Sequence, residues 1–124
     1  MSKIIESIKT FEDALKATVR PDVPEFLELP EDIREYFKAQ YKILVITEAL
    51  NEGWKADMMD TNQKRWFPVF RTDPSSPSGL VFGSSFCHYS GASASVASRL
   101  CFKSVELATY AGEQFLELYK NFIM

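Results

Sequence analysis

The apolar positions change period once near the end of the chain, and that change locates an element on either side. Leu100 and Phe102 alternate with Arg99, Cys101 and Lys103, the period of two expected of a half-buried strand. After Ser104 the apolar set becomes Leu107, Ala111, Phe115, Leu118 and Phe122, which share one face of a helix. The Ser104 hydroxyl can accept from the free amides of the first turn, and Glu106 suits the positive end of the helix dipole, so the serine reads as an N-cap. A nucleophilic role would need a general base, and none lies near it in sequence. Residues 98–124 are therefore expected to form a buried strand running into a long amphipathic helix, which the rest of the chain covers.

Upstream, Ile4, Ile5, Ile8, Phe11 and Leu15 keep helical spacing, and Thr10 followed by Asp13 resembles a capping pair. One helix, or two short ones with a break near Lys9 and Thr10, is expected there. Residues 20–30 hold three prolines and three acids, which predicts an extended connector whose Val23, Phe26, Leu27 and Leu29 pack on the body. Pro30, with Glu31 and Asp32 behind it, starts a helix that Gly53 stops. Across residues 30–52, Ile33, Phe37, Tyr41 and Leu44 form one apolar stripe, and Ala39, Ile43, Ile46 and Leu50 an adjacent one. An arc that wide predicts a central helix.

After a polar loop, residues 66–70 and 80–89 have strand composition, separated by the turn-forming TDPSSPSG of residues 72–79. Pro68 cannot donate to a ladder and puts the first strand at an edge or a bulge, and a second bulge is expected within residues 83–85. In the second strand Leu80, Phe82, Phe86 and His88 fall on one face, and Val81, Cys87 and Tyr89 on the other. A small-residue loop over 90–97 would lead to the third strand, with Phe86 opposite Phe102, His88 opposite Leu100, Cys87 opposite Cys101 and Tyr89 opposite Arg99. The expected fold is α+β: a three-stranded antiparallel sheet packed against a long central helix, a C-terminal helix and a short N-terminal helix, in one domain over residues 1–124.

Composition narrows the class. The formal charge of -3 is neither the basic footprint of a dedicated nucleic-acid binder nor the acidity of a disordered chain. Its distribution is uneven: residues 1–53 carry 7 basic and 11 acidic side chains, whereas residues 54–103 carry 6 and 3, so the aromatic-rich middle is the only net-basic part. No apolar run approaches the roughly 18–20 residues of a membrane span, so no membrane role is expected. The first ten residues lack the continuous apolar core of a signal peptide. A cytoplasmic protein with Cys87 and Cys101 as reduced thiols is expected.

Cys87, His88 and Cys101 could supply a nucleophile or a metal site, but neighbours on a strand point to opposite faces, so packed thiols and a sheet histidine are expected instead. Asp57, Asp60 and Asp73 match no calcium-loop spacing and read as solvated loop acids. The small-residue loop over 90–98 could offer amides to a phosphate, but it leads into a strand rather than a helix and reads as a hairpin loop. The best functional signal is the mixture of cations and aromatics in the middle: Trp54, Lys64, Arg65, Trp66, Arg71, Tyr89, Arg99 and Lys103. Such a set could stack bases and contact phosphates, or anchor a protein interface through exposed tryptophan and arginine.

Three phrases, IKTFEDALK (residues 8–16), EALNEGWKAD (48–57) and SRLCFKSVELATYAGEQF (98–115), resemble a family of small proteins encoded by gut-bacterial genomes and their phages. The resemblance spans nearly the whole chain. WKADM stands at residues 54–58 where the family has WKPDW, and RWFPVF at 65–70 where it has KYYPWF. The resemblance implies an intact domain and a mobile-element setting, and it brings no activity and no catalytic residue. The expected function is a small non-enzymatic binding or adaptor domain for a protein partner, docked on the sheet and the loop after Trp54. An accessory nucleic-acid binder is the alternative and an enzyme a distant third; no cofactor and no metal is implied.

Overall fold

The computed structural model describes residues 3–89 and 98–124. Along the chain come α1 (Ile4–Ser7), α2 (Phe11–Thr18), α3 (Glu31–Leu50), β1 (Arg65–Thr72), β2 (Leu80–His88), a 3-10 turn (Ser98–Leu100), α4 (Val105–Gln114) and α5 (Leu116–Ile123). The class is α+β, but among the described residues the sheet has two antiparallel strands and not the expected three. The expected loop over 90–97 lies outside the described residues.

The N-terminal break has a local cause. The Thr10 hydroxyl accepts from the Asp13 amide at 3.1 Å, and the Asp13 carboxylate accepts from the Thr10 amide at 3.1 Å, a capping box that starts α2 afresh. Ile8, between the two helices, is buried, and α4 ties down this junction: the Tyr110 hydroxyl donates to the Ile8 carbonyl and Gln114 Nε2 to that of Lys9 at 2.9 Å. Along the connector, Phe26 packs on Phe37 with ring centroids 6.0 Å apart, but Leu27 is 68% exposed and does not pack as expected.

Helix α3 is central. Ala39, Ile43, Val45, Ile46, Ala49 and Leu50 are buried, and most of them meet Phe102, Leu107, Ala111, Phe115 and Tyr119 in one core cluster. Ser104 caps α4 by accepting from the Leu107 amide at 3.3 Å. The expected single C-terminal helix is two: Phe115 leaves helical geometry at φ -110 and ψ 31, and α5 starts beyond it.

The sheet lies on α4, and Gly112 lets it come close. A Cβ there would sit 2.6 Å from Phe82 Cδ1 and 2.9 Å from Pro68 Cβ. Within the hairpin Val69 faces Ser84 while Phe70 faces Phe82, so Gly83 is the extra residue of a bulge, where one was expected. The bulge shifts the phase of everything after it. Leu80 and Phe82 point to the helices, but beyond Gly83 Ser85 bonds the Thr109 hydroxyl at 2.9 Å and Phe86 is 53% exposed. Grouping Phe86 and His88 with Leu80 and Phe82 on one face is therefore corrected: an alternation of two cannot be carried through an inserted residue.

The third strand is replaced by a clamp. Phe102 forms an isolated bridge with Trp66, its amide donating to the Trp66 carbonyl at 2.7 Å and its carbonyl accepting at 2.9 Å. On the other side the buried Asn51 side chain donates to the Cys101 carbonyl at 2.9 Å and accepts from the Lys103 amide at 3.0 Å. The segment thus lies between β1 and the end of α3, not beside β2, and the expected pairings of Phe86, His88, Cys87 and Tyr89 with residues 99–102 do not form. Trp66 faces Cys87 across the hairpin and Phe102 on its other edge, so β1 separates Cys87 from Cys101, and the two cysteines form no disulfide with each other.

Candidate functional site

The end of α3 builds the site. Asn51 is the last residue in helical geometry; Glu52 at φ 50 and Gly53 at φ 88 then take two successive left-handed steps. Glycine adopts that conformation without cost from a Cβ. The reversal brings the Trp54 amide back to the Asn51 carbonyl at 3.0 Å and leaves the indole half-buried against the helix end. Because the Asn51 side chain also holds residues 101 and 103, the 3-10 turn carrying Arg99 arrives at the same place.

A third segment completes the walls. The Tyr41 hydroxyl donates to the Pro21 carbonyl, fixing the start of the connector on α3. Arg20 then reaches Glu48 in a two-pronged pair, Nε to Oε1 at 3.2 Å and Nη2 to Oε2 at 2.8 Å, and the carboxylate's hydrogen bonds raise the Arg20 pKa further. The result is a cleft of about 330 Å³ lined chiefly by Arg20, Leu44, Glu48, Trp54, Lys55 and Arg99.

Its charge is unbalanced. Glu48 neutralises Arg20, but among the described residues no carboxylate pairs with Lys55 or Arg99. One indole face, one leucine and two uncompensated cations therefore share a concave surface. That arrangement can bind an anion beside an apolar group. It holds no nucleophile with a base, and among the described residues no group of three or more His, Cys, Asp or Glu side chains could hold a metal ion.

The other expected site residues fall elsewhere. Lys64 Nζ stands over both the Trp66 ring at 6.0 Å and the Tyr89 ring at 5.7 Å, a second aromatic and cationic cluster in which Tyr89 is 48% exposed. Trp66 packs against the core and is no free platform. Arg65 is only 3% exposed; its guanidinium donates to the carbonyls of Asp57 and Tyr89 and pins two loops. Burial raises the Cys101 thiol pKa, and the nearby Arg65 charge opposes that shift. Arg71 lies at the far end of β1 over the Gly83 bulge, and Lys103 is 3.8 Å from Glu52. The expected outer sheet face shared by Arg99 and Lys103 does not exist, because neither residue is in a strand. His88 stacks on Phe67 with ring centroids 4.7 Å apart.

Sequence reasoning found Trp54 and Arg99 but missed Arg20, Glu48, Asn51 and Lys55. Arg20 and Glu48 are surface charges by type, and only the fold brings them together across 28 positions. Asn51 carried a faint signal, a polar side chain just before the glycine that ends a helix. Comparison with family models, curated proteins and solved structures finds no match to the chain. No helix among the described residues is long and apolar enough to cross a membrane.

Proposed function

We propose that the protein is a small non-enzymatic binding or adaptor domain that docks a protein partner at the cleft between the end of α3 and the 3-10 turn. One observation carries this reading: Trp54 and Arg99, 45 positions apart in sequence, line the same concavity with Lys55 and Arg20. Tryptophan and arginine in a central pocket are the residues most often found to dominate binding energy. The resemblance to small bacterial and phage proteins suggests a partner from the host cell. The nucleic-acid alternative draws less support, since Arg65 is buried, Trp66 packs inward and Arg71 stands apart, so the basic residues make no continuous track.

The test is quantitative capture from host lysate on immobilised wild type, Trp54→Ala, Arg99→Glu and the outlying control Arg71→Glu. A protein retained by wild type and Arg71→Glu but lost by both cleft variants supports the reading. Equal capture by all four contradicts it, provided that circular dichroism shows each variant folded.

A further inference from the structure

We infer that the group this cleft accepts is a carboxylate beside a large apolar side chain, so that the partner presents a short acidic and apolar peptide segment. The inference rests on the docking reading above and names its chemistry. Lys55 and Arg99 have no carboxylate partner among the described residues, while Trp54 and Leu44 on the same walls offer apolar contact. Two cations paired with no acid in a concave site attract an anion more strongly than the same cations on open surface, because low-dielectric walls focus their field. The indole and leucine then reward an apolar neighbour of that anion with buried area.

The size of the cleft and the acids around it argue against a polyanion. The volume of about 330 Å³ is at the small end of ligand sites and suits one or two side chains, not a strand of nucleotides. Glu48 lies within the cleft, and Glu52 stands beside it, 51% exposed. A chain with a phosphate at every unit would meet these acids. A peptide can place one carboxylate between Lys55 and Arg99 and leave its remaining length neutral. The Arg20–Glu48 pair contributes by occupying Glu48, which would otherwise compete for the two free cations.

Fluorescence anisotropy with a labelled peptide of glutamate, leucine and aspartate flanked by serines tests this on the full chain. Binding should weaken about tenfold or more when the two acids are replaced by glutamine and asparagine, and likewise with Lys55→Gln/Arg99→Gln protein. It should also weaken as salt rises from 50 to 300 mM, as screening requires. Equal affinity for the neutral peptide, or an unchanged affinity in the double variant, overturns the inference. So does tighter binding of single-stranded oligothymidylate that is lost in Arg99→Gln. In the lysate experiment, a partner lost by Trp54→Ala but kept by Lys55→Gln/Arg99→Gln would leave the docking reading standing and remove the acidic one; a partner indifferent to both removes both.

Discussion

Replacing Asn51 by alanine should cost far more than its position at a helix end suggests. Asn51 is 4% exposed and its side chain makes two bonds, one to the Cys101 carbonyl and one to the Lys103 amide. Truncation takes the Asn51 bond away from both backbone groups, and each such loss at a buried group costs about 1–3 kcal/mol. Water entering from the adjacent cleft would recover part of this, so a loss of about 3 kcal/mol is the working figure. With an unfolding entropy of about 2.1 cal/mol/K per residue, a chain of 124 residues should then melt about 12 °C lower. Glu52→Gln is the comparison, since it removes only the exposed pair with Lys103, worth at most about 1 kcal/mol. Urea unfolding at equilibrium gives both values, with the midpoint shifting at constant slope. A loss under about 0.5 kcal/mol for Asn51→Ala would refute the clamp as the reason why residues 101–103 leave the sheet.

Three further outcomes follow from single contacts. Gly112→Ala should destabilise by about 1–3 kcal/mol, because the new methyl would sit within 2.9 Å of Pro68 Cβ and Phe82 ring atoms; thermal melting checks it, and an unchanged Tm contradicts the packing described. Cys101 should resist thiol reagents at pH 8 until the protein unfolds, since burial both shields the thiol and raises its pKa; rapid native-state labelling located by mass spectrometry would contradict this. The Asp13 carboxyl is held below its ordinary pKa chiefly by the Lys9 amide and by Thr10, so its stabilisation is present above pH 3.8 and lost as pH falls through the lower folded value. Asp13→Asn should therefore flatten the acid limb of the stability profile, and an unaltered limb would count against the capping box.

Much of the fold was legible because its signals are local. The Thr10 and Asp13 cap, the wide apolar arc of α3, the Ser104 cap and the glycine bulge all lie within a few residues of what they specify. What failed was decided at long range. Three alternating residues at 100–102 satisfy a strand pattern, yet the partner that claims them is a side chain 50 positions earlier. The phase of β2 failed for a different reason, since the bulge was foreseen but its reversal of faces was not carried forward. At the site, residue type pointed to Trp54 and Arg99, whereas Arg20 and Lys55 look like ordinary solvated cations until the connector and the end of α3 bring them together. The burial of Arg65 was invisible for the converse reason: nothing in its neighbours marks the two carbonyls that hold it.

The central claim is that the Trp54 cleft, not the Lys64, Trp66 and Tyr89 cluster, receives the partner. The chain has two tryptophans, so the two indole N–H signals in a nitrogen–proton correlation spectrum report on the two sites separately. Titrating the acidic and apolar peptide into labelled protein should move the Trp54 indole signal and the Lys55 and Arg99 amides, with the Trp66 indole unmoved. A shift confined to Trp66, Lys64 and Tyr89, with Trp54 unchanged at saturation, would contradict the account.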